Sequence, residues 1–300
     1  MHDVRRTPLR ALSALATRRR GEPPAELHAT AEEAALTALH RLAEEVIDVD
    51  APQAMGLYLF ASEHEGAELA LHVERNVFAE TVAEPESFLA TQYGPYRAAS
   101  VLVCVMDHRR RVPAAMMRLI LPSAAGLKSL DDAAANWGEE IRERYRAAGC
   151  TNESGQTWDI ATLAIAPEYR AAAFQGLVTM GLCQVISIVG ARCGFTTSVA
   201  ILHVPVLRML QWKLHRPFSE FPDVEPRGYL ESPASLPVCM DLQGWHARLA
   251  QRDPVLHELM TVGKGLDPVL RPPDWSVAAE LVDAVATGAR RVQPTTHART

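Results

Sequence analysis

The stretch TWDIATLAIAPEYRAAAFQGLVTMGL, residues 157–182, decides how the chain is read. An extended apolar segment, 157–166, stops at Pro167, and an arginine and small residues follow it. The apolar positions 174, 177, 178, 182, 185, 188 and 189 then predict a helix over 174–192. Cys193-Gly194 closes that helix, and a second strand is predicted over 195–203. Strand, crossover helix and strand make a βαβ unit, which sets the two strands parallel and the connection right-handed. A strand that runs through a short loop into a helix presents free N–H groups and the positive end of the helix dipole, a seat for phosphate or pyrophosphate. Neither G-x-x-x-x-G-K-[ST] nor G-x-G-x-x-G stands at this turn, so a P-loop and a dinucleotide fingerprint are both excluded.

Working outward, SVLVCVMD (100–107) and VPAAMMRLIL (112–121) predict a hairpin joined by the polar turn 108–111. Helices are predicted over 25–49, from the spacing of Leu36, Leu39, Leu42 and Val46, and over 69–79. The segment 123–155 is mixed and acidic, and reads as a loop plus an outer helix. Val204-Pro205 starts a helix, since proline sits well in a first turn. PASLPVCMDL (233–242) is a further strand, and 245–262 and 276–286 read as closing helices, with the last dozen residues disordered. The expected organisation is a basic arm and helix (1–50), a core domain (51–250), and a C-terminal helical segment with a loose tail (251–300).

The 300 residues, 48% of them hydrophobic and 22% charged, place the chain among globular proteins. A formal net charge of -6 gives no general attraction to nucleic acid or anionic lipid. No segment supplies the roughly 20 apolar residues of a membrane span. The N-terminal MHDVRRTPLRALSALATRRRGEPP is interrupted by arginines too often to be a secretion signal, and reads as a solvated basic arm. Five cysteines, with no C-x-x-C pair and no His/Cys cluster at metal-ligand spacing, point to reduced thiols in the cytoplasm and to no metal site.

The stretch Trp158-Asp159-Ile160, Leu163-Ala164-Ile165, Pro167 and Tyr169-Arg170 resembles the acyl-coenzyme A site of the GNAT acetyltransferase superfamily. In that family such a strand leads into a Q/R-x-x-G-x-G/A loop that binds pyrophosphate. Here the loop is Arg170, Ala171, Ala172, Ala173, Phe174, Gln175 and Gly176, with one glycine where two are expected. RNVF (Arg75 to Phe78) and MRLILP (117–122) resemble two motifs of the acyl-homoserine lactone synthases, which share that fold. Two departures stand out. The acidic cluster of those synthases is replaced by TQYGPYRAAS, and their E-x-S-R strand by Asp159-Ile160-Ala161-Thr162, so adenosylmethionine is not the expected substrate.

The resemblance implies an α/β fold with a mixed, mainly antiparallel sheet, a splayed parallel strand pair and flanking helices. It implies an acyl thioester, acyl-CoA or acyl carrier protein, as co-substrate and a small-molecule or amino-acid amine as acceptor. Main-chain N–H groups of Leu163, Ala164 and Ile165 would polarise the thioester carbonyl, and the loop from Arg170 to Gly176 would hold the pyrophosphate. Arg75, Phe78, Arg118 and Trp158 are the substrate-binding candidates. Arg118 stands out on chemistry alone: an arginine in a strand of Ala, Met, Leu and Ile either forms an ion pair or faces a site. Asp159 and His203 are the candidate bases, with a structural role open to each: arginine partner for Asp159, helix start or core hydrogen bond for His203. The tyrosine that many GNAT enzymes use as general acid is missing from VPVLRMLQWKLHRPF (204–218), and Cys183 and Cys193 read as buried helix residues. Three functions fit: an N-acyltransferase, a weak or inactive module that binds an acyl thioester or fatty ligand, and an interaction protein.

Overall fold

The computed structural model of the chain describes residues 25–47, 51–170 and 172–291. The expected basic arm (1–24) and residues 292–300 of the expected loose tail lie outside the described residues. SVLVCVMD and VPAAMMRLI form β2 (Ser100–Asp107) and β3 (Val112–Ile120), buried along almost their whole length. Strands that read as unbroken apolar runs belong in the middle of a sheet with both faces covered, and these two do. They are flanked by β1 (Met55–Ala61) and β4 (Thr157–Ile165), followed by β5 (Thr197–His203), β8 (Ser232–Asp241) and the short edge strands β6 (Ser219–Glu220), β7 (Arg227–Tyr229) and β9 (Leu270–Arg271). The sheet runs β6-β8-β5-β4-β3-β2-β1-β9, with β7 beside β8. Two pairings, β4 with β5 and β1 with β9, are parallel and the rest antiparallel. This is the mixed, mainly antiparallel sheet expected from the sequence, with its predicted parallel neighbours.

The helices are α1 (Ala25–Val46), α2 (Ala67–Phe78), α3 (Pro85–Tyr93), α4 (Lys128–Trp137), α5 (Glu140–Ala147), α6 (Ala172–Gln184), α7 (Gly190–Arg192), α8 (Val204–Lys213), α9 (Leu242–Arg252), α10 (Pro254–Val262) and α11 (Trp275–Arg291). A π-helical turn, Val185–Val189, joins α6 to α7 inside what reads in the sequence as one helix. The predicted helix 245–262 is two helices, because Pro254 cannot continue α9 and Asp253 caps α10 by accepting from the Leu256 N–H at 3.0 Å. The segment expected as loop and outer helix holds both α4 and α5, whose Trp137, Ile141 and Tyr145 are buried. No described helix is long and apolar enough to cross a membrane.

The chain divides into two units, one ending at Ala38 and the other running from Leu39 onward. The C-terminal segment expected as a separate region belongs to the second unit: Leu256, Met260, Val282 and Ala286 are buried in its main core, and β9 pairs with β1. Helix α11 runs to Arg291, into residues expected to be disordered.

Trp158 corrects an expectation. It is proposed above as a substrate contact, yet its ring is 0% exposed, stacks on Phe195 at 4.6 Å and donates from Nε1 to Ser198 Oγ at 2.6 Å. A Cβ at Gly190 would sit 2.8 Å from this ring, so the glycine exists to let α7 approach it. Trp158 therefore holds the closed end of the parallel pair. Replacing it with alanine should lower the unfolding free energy by about 3–5 kcal/mol, as read from urea denaturation followed by circular dichroism. A loss under 1 kcal/mol would contradict the core role.

Candidate active site at the splayed strands

Strand β4 pairs with β3 from Asp159 to Ile165, and β5 pairs with β8 from Thr197 to His203. With each other, β4 and β5 pair at only three positions, Thr157 with Thr197, Trp158 with Ser198 and Asp159 with Val199. Beyond Asp159 each strand follows its outer neighbour and the two diverge. A register irregularity between Arg118 and Leu119 leaves Ala161 as the extra residue of β4 where the divergence starts; such a bulge bends a strand and re-aims its groups. The gap is floored by Ile160, Leu163, Leu202, Leu210, Phe218 and Trp245, among others, around an apolar crevice of about 10 Å³. That is room for about one water.

The open end of β4 leads into a 3-10 turn, Pro167–Tyr169, then Arg170 and helix α6. Tyr169 donates to Asp107 Oδ2 at 2.8 Å, which ties this turn to the β2–β3 hairpin. Arg170 donates from Nε to the Ile165 carbonyl at 2.9 Å and grips Glu80 with two bonds of 2.9 and 2.6 Å. Those bonds hold the Glu80 carboxyl below its ordinary value. The arginine expected to receive a pyrophosphate already has a carboxylate partner. Ala171 and the side chains of Ala172, Ala173, Phe174 and Gln175 lie outside the described residues. At Gly176 an added Cβ would meet nothing within 4 Å, so close packing does not require a glycine there.

The two candidate bases lie at opposite ends of the gap. Asp159, at the closed end, is 0% exposed and accepts from both the N–H and the hydroxyl of Ser129 at 2.6 Å, which caps the start of α4. Burial pushes its carboxyl up to about 7 against the opposing pull of Ser129 and Lys128. Its hydrogen-bond partners are the Ser129 hydroxyl and a helix-end N–H, where the sequence led to the expectation of an arginine. His203 is half-buried at the open end, at the start of α8 and opposite Ser235. It stands four residues beyond Val199, about 13 Å along the strand.

Arg118 and Arg75 both line a second cavity, of about 210 Å³, between α2, α3 and the β2–β3 hairpin. Arg118 is 4% exposed and bonds Glu74 twice, Nε to Oε1 at 3.1 Å and Nη2 to Oε2 at 2.5 Å, with the Tyr93 ring 4.4 Å away. Both structural alternatives for this arginine hold at once, an ion pair and a cavity wall. Tyr93 accepts from Thr162 Oγ1 at 2.8 Å, so this cavity wall touches β4 one residue past the bulge. Arg75 pairs with Glu68, and Phe78 packs on Phe88 at 5.8 Å. Sequence reasoning missed Glu74, Tyr93 and the buried Lys128, whose ammonium bonds Gln92, Asp132 and Tyr229. One signal was present: Glu74 follows Ala67, Ala70 and Val73 on the apolar stripe of α2, where a carboxylate calls for a buried cation.

Asp159 makes stability depend on pH. Its folded-state value lies above the unfolded one, so its contribution is complete below about 4 and is lost as pH rises through about 7. Between pH 5 and 7 the unfolding free energy of the wild type should fall, relative to Asp159→Asn, by up to about 1.4 kcal/mol per pH unit. Urea denaturation of both proteins at pH 5, 6, 7 and 8 measures this, and parallel pH profiles would show that Asp159 is ionised in the folded state.

No family model matches the sequence, and no curated protein matches it significantly. Solved structures do. The chain is similar to FeeM, an N-acyl amino acid synthase from uncultured soil microbes, at 16% identity and a TM-score of 0.46 over 66% of this chain and 96% of that one. It is similar to the AHL synthase LasI at 13% identity and a TM-score of 0.45, over 63% and 91% of the two chains. With BjaI, a CoA-dependent acyl-homoserine lactone synthase solved with SAM and isopentyl-CoA, the identity is 14% and the TM-score 0.40, over 76% and 99%.

Proposed function

We propose that the protein is an N-acyltransferase that moves an acyl group from an acyl thioester, carried by coenzyme A or an acyl carrier protein, to the amine of a small molecule or amino acid. The divergence of β4 from β5 after Asp159 and Val199 carries this reading. It leaves an edge of β4 without its parallel partner, beside the N-terminus of a 13-residue helix. An extended pantetheine arm would enter as a surrogate strand, with its phosphates toward the helix end, once the crevice of about 10 Å³ widens to take it.

In the reaction the amine nitrogen attacks the thioester carbonyl, a C–N bond forms, the C–S bond breaks, and the amine's proton leaves while the thiolate is protonated. Main-chain N–H groups at Leu163 and Ile165, which alternation turns away from β3, are assigned to the carbonyl oxygen, whose negative charge grows in the transition state; Ala164, opposite Met116 and in step with the Ala166 N–H that bonds Ala114, points to β3 instead. His203, at the open end, is assigned to the amine proton. Asp159 is not, since its carboxylate is spent on Ser129. Five free cysteines fit a reducing compartment, and we place the protein in the cytoplasm.

A second reading has its own support: the Arg170–Glu80 pair and a crevice of about 10 Å³ suit a fold that binds an acyl thioester weakly without turning it over. Thiol release from acetyl-CoA and octanoyl-CoA, followed with a chromogenic disulfide across a panel of primary amines, separates the two. Amine-dependent release is expected. Saturable binding without release would leave the binding module, and neither would leave an interaction protein. Glu80→Gln tests the pyrophosphate seat, since it frees Arg170 at an exposed position where an ion pair contributes little to stability. Its acyl-CoA affinity should rise about fivefold, and Arg170→Gln should lower it about tenfold. Unchanged affinity in both would remove Arg170 from the donor site.

A further inference from the structure

The π-helical turn Val185–Val189 and helix α9 each have two faces. Ile186 and Trp245 line the crevice between β4 and β5, while their chain neighbours Ser187 and His246 line a separate cavity of about 360 Å³. None of the residues placed in acyl transfer lines that cavity, so what it binds does not depend on the proposed reaction. A π turn is rare inside an α-helix and frequently marks a functional site. This one brings the hydroxyl of Ser187, 0% exposed, within 3.1 Å of His246 Nε2, and the two share a hydrogen bond. Burial, reinforced by the His257 ring 6.3 Å away, holds the His246 imidazole down at about 4, so it is uncharged at neutral pH.

Around this pair the walls are apolar, built from Ile188, Val262 and Trp275. Thr261 also lines the cavity, its hydroxyl donating to the His257 carbonyl at 2.7 Å. Charge is confined to the mouth and is offset there. Arg192 is the one ionised side chain among the described residues that line the cavity; it is exposed and donates to Ser276 Oγ at 3.1 Å. Asp274 accepts from the Ser276 N–H at 2.8 Å and Asp283 bonds the Cys193 thiol, so carboxylates stand beside both the partner and the chain neighbour of that arginine. A neutral polar pair set among apolar walls calls for an uncharged ligand with one hydrogen-bonding group.

The geometry points to a binding site for an uncharged, alkyl-substituted phenol, its ring between Ile188, Val262 and Trp275 and its hydroxyl on the Ser187–His246 pair. A hydroxyl both donates and accepts, so it completes that pair in either tautomer of His246. Trp275 offers an aromatic face, which favours a flat ring over a saturated one. The volume of about 360 Å³ lies at the small end of ligand pockets and leaves room for alkyl groups on a single ring.

Calorimetric titration of the full chain at neutral pH with thymol, its saturated counterpart menthol, and the carboxylate cuminate tests the site without any thioester. Thymol should bind one to one, at least tenfold more tightly than cuminate and about threefold more tightly than menthol. Ser187→Ala removes one hydroxyl from the π turn and should weaken thymol about fivefold. Ala191→Trp, at an exposed position lining the cavity, should abolish binding while the melting temperature holds. Absence of saturable thymol binding overturns the site. Equal binding of cuminate overturns the selection of an uncharged ligand, and equal binding of menthol overturns the aromatic class. Full affinity in Ser187→Ala removes the polar pair, and full affinity in a folded Ala191→Trp protein places the ligand elsewhere.

Discussion

Strand β4 belongs to β3 along its length and to β5 for three positions only, and the rest of the structure is arranged around that unequal bonding. A parallel pair inside a sheet normally keeps its ladder, because each unpaired N–H and C=O costs free energy when buried. Here the ladder is kept where Trp158 stacks on Phe195 and Thr157 shares a hydroxyl contact with Thr197, and given up beyond. The outer strands enforce the break: β8 holds β5 through seven register positions to His203, and β3 holds β4 to Ile165. A gap made in this way is rigid on both sides, which suits a site that must hold a ligand's main axis in one direction.

The second constraint is the amount of charge buried near the gap. Arg118, Glu74, Lys128 and Asp159 are each at most 4% exposed. Every one of them is satisfied by a partner distant in the chain: Arg118 by Glu74 at a separation of 44, Lys128 by Gln92 at 36, Asp159 by Ser129 at 30. Tyr93 links these groups, with Arg118 and Lys128 at 4.4 and 5.3 Å from its ring and Thr162 of β4 on its hydroxyl. The network fastens α2, α3 and α4 to the sheet on the side where β4 bulges. A loss of any one partner would strand a desolvated charge, so the elements stand or fall together.

Several residues chosen from the sequence for chemistry turn out to hold the frame. Trp158 and Asp159 sit at the closed end of the parallel pair, both 0% exposed, and they act as a core stack and a helix cap. Arg170 binds the carboxylate of Glu80 and the end of its own strand. His203 alone of the candidate acid–base groups stands at the open end, because β5 ends there and α8 begins. Position along a diverging pair, and not residue type, separates structural from accessible side chains.

Local pattern sufficed for the order and type of the central elements. Unbroken apolar runs marked β2 and β3, a strand stopped by Pro167 and followed by helical periodicity marked β4 and α6, and Pro205 marked the start of α8. The Asp253-Pro254 step was legible as a cap and a break, but the apolar periodicity across it reads as one helix. Strand β1 and helix α3 escaped: α3 has almost no amphipathic pattern, and β1 carries alternate residues that the sheet buries on both faces. What the sequence by itself determined, then, is the βαβ unit and the β2–β3 hairpin, since proline geometry and hydrophobic period act over a few residues, while the mixed sheet that joins them was implied by the resemblance. Only the tertiary structure decided where β4 leaves β5, which carboxylate meets Arg118 and what Arg170 holds, because those depend on contacts between residues tens of positions apart, which no local period records.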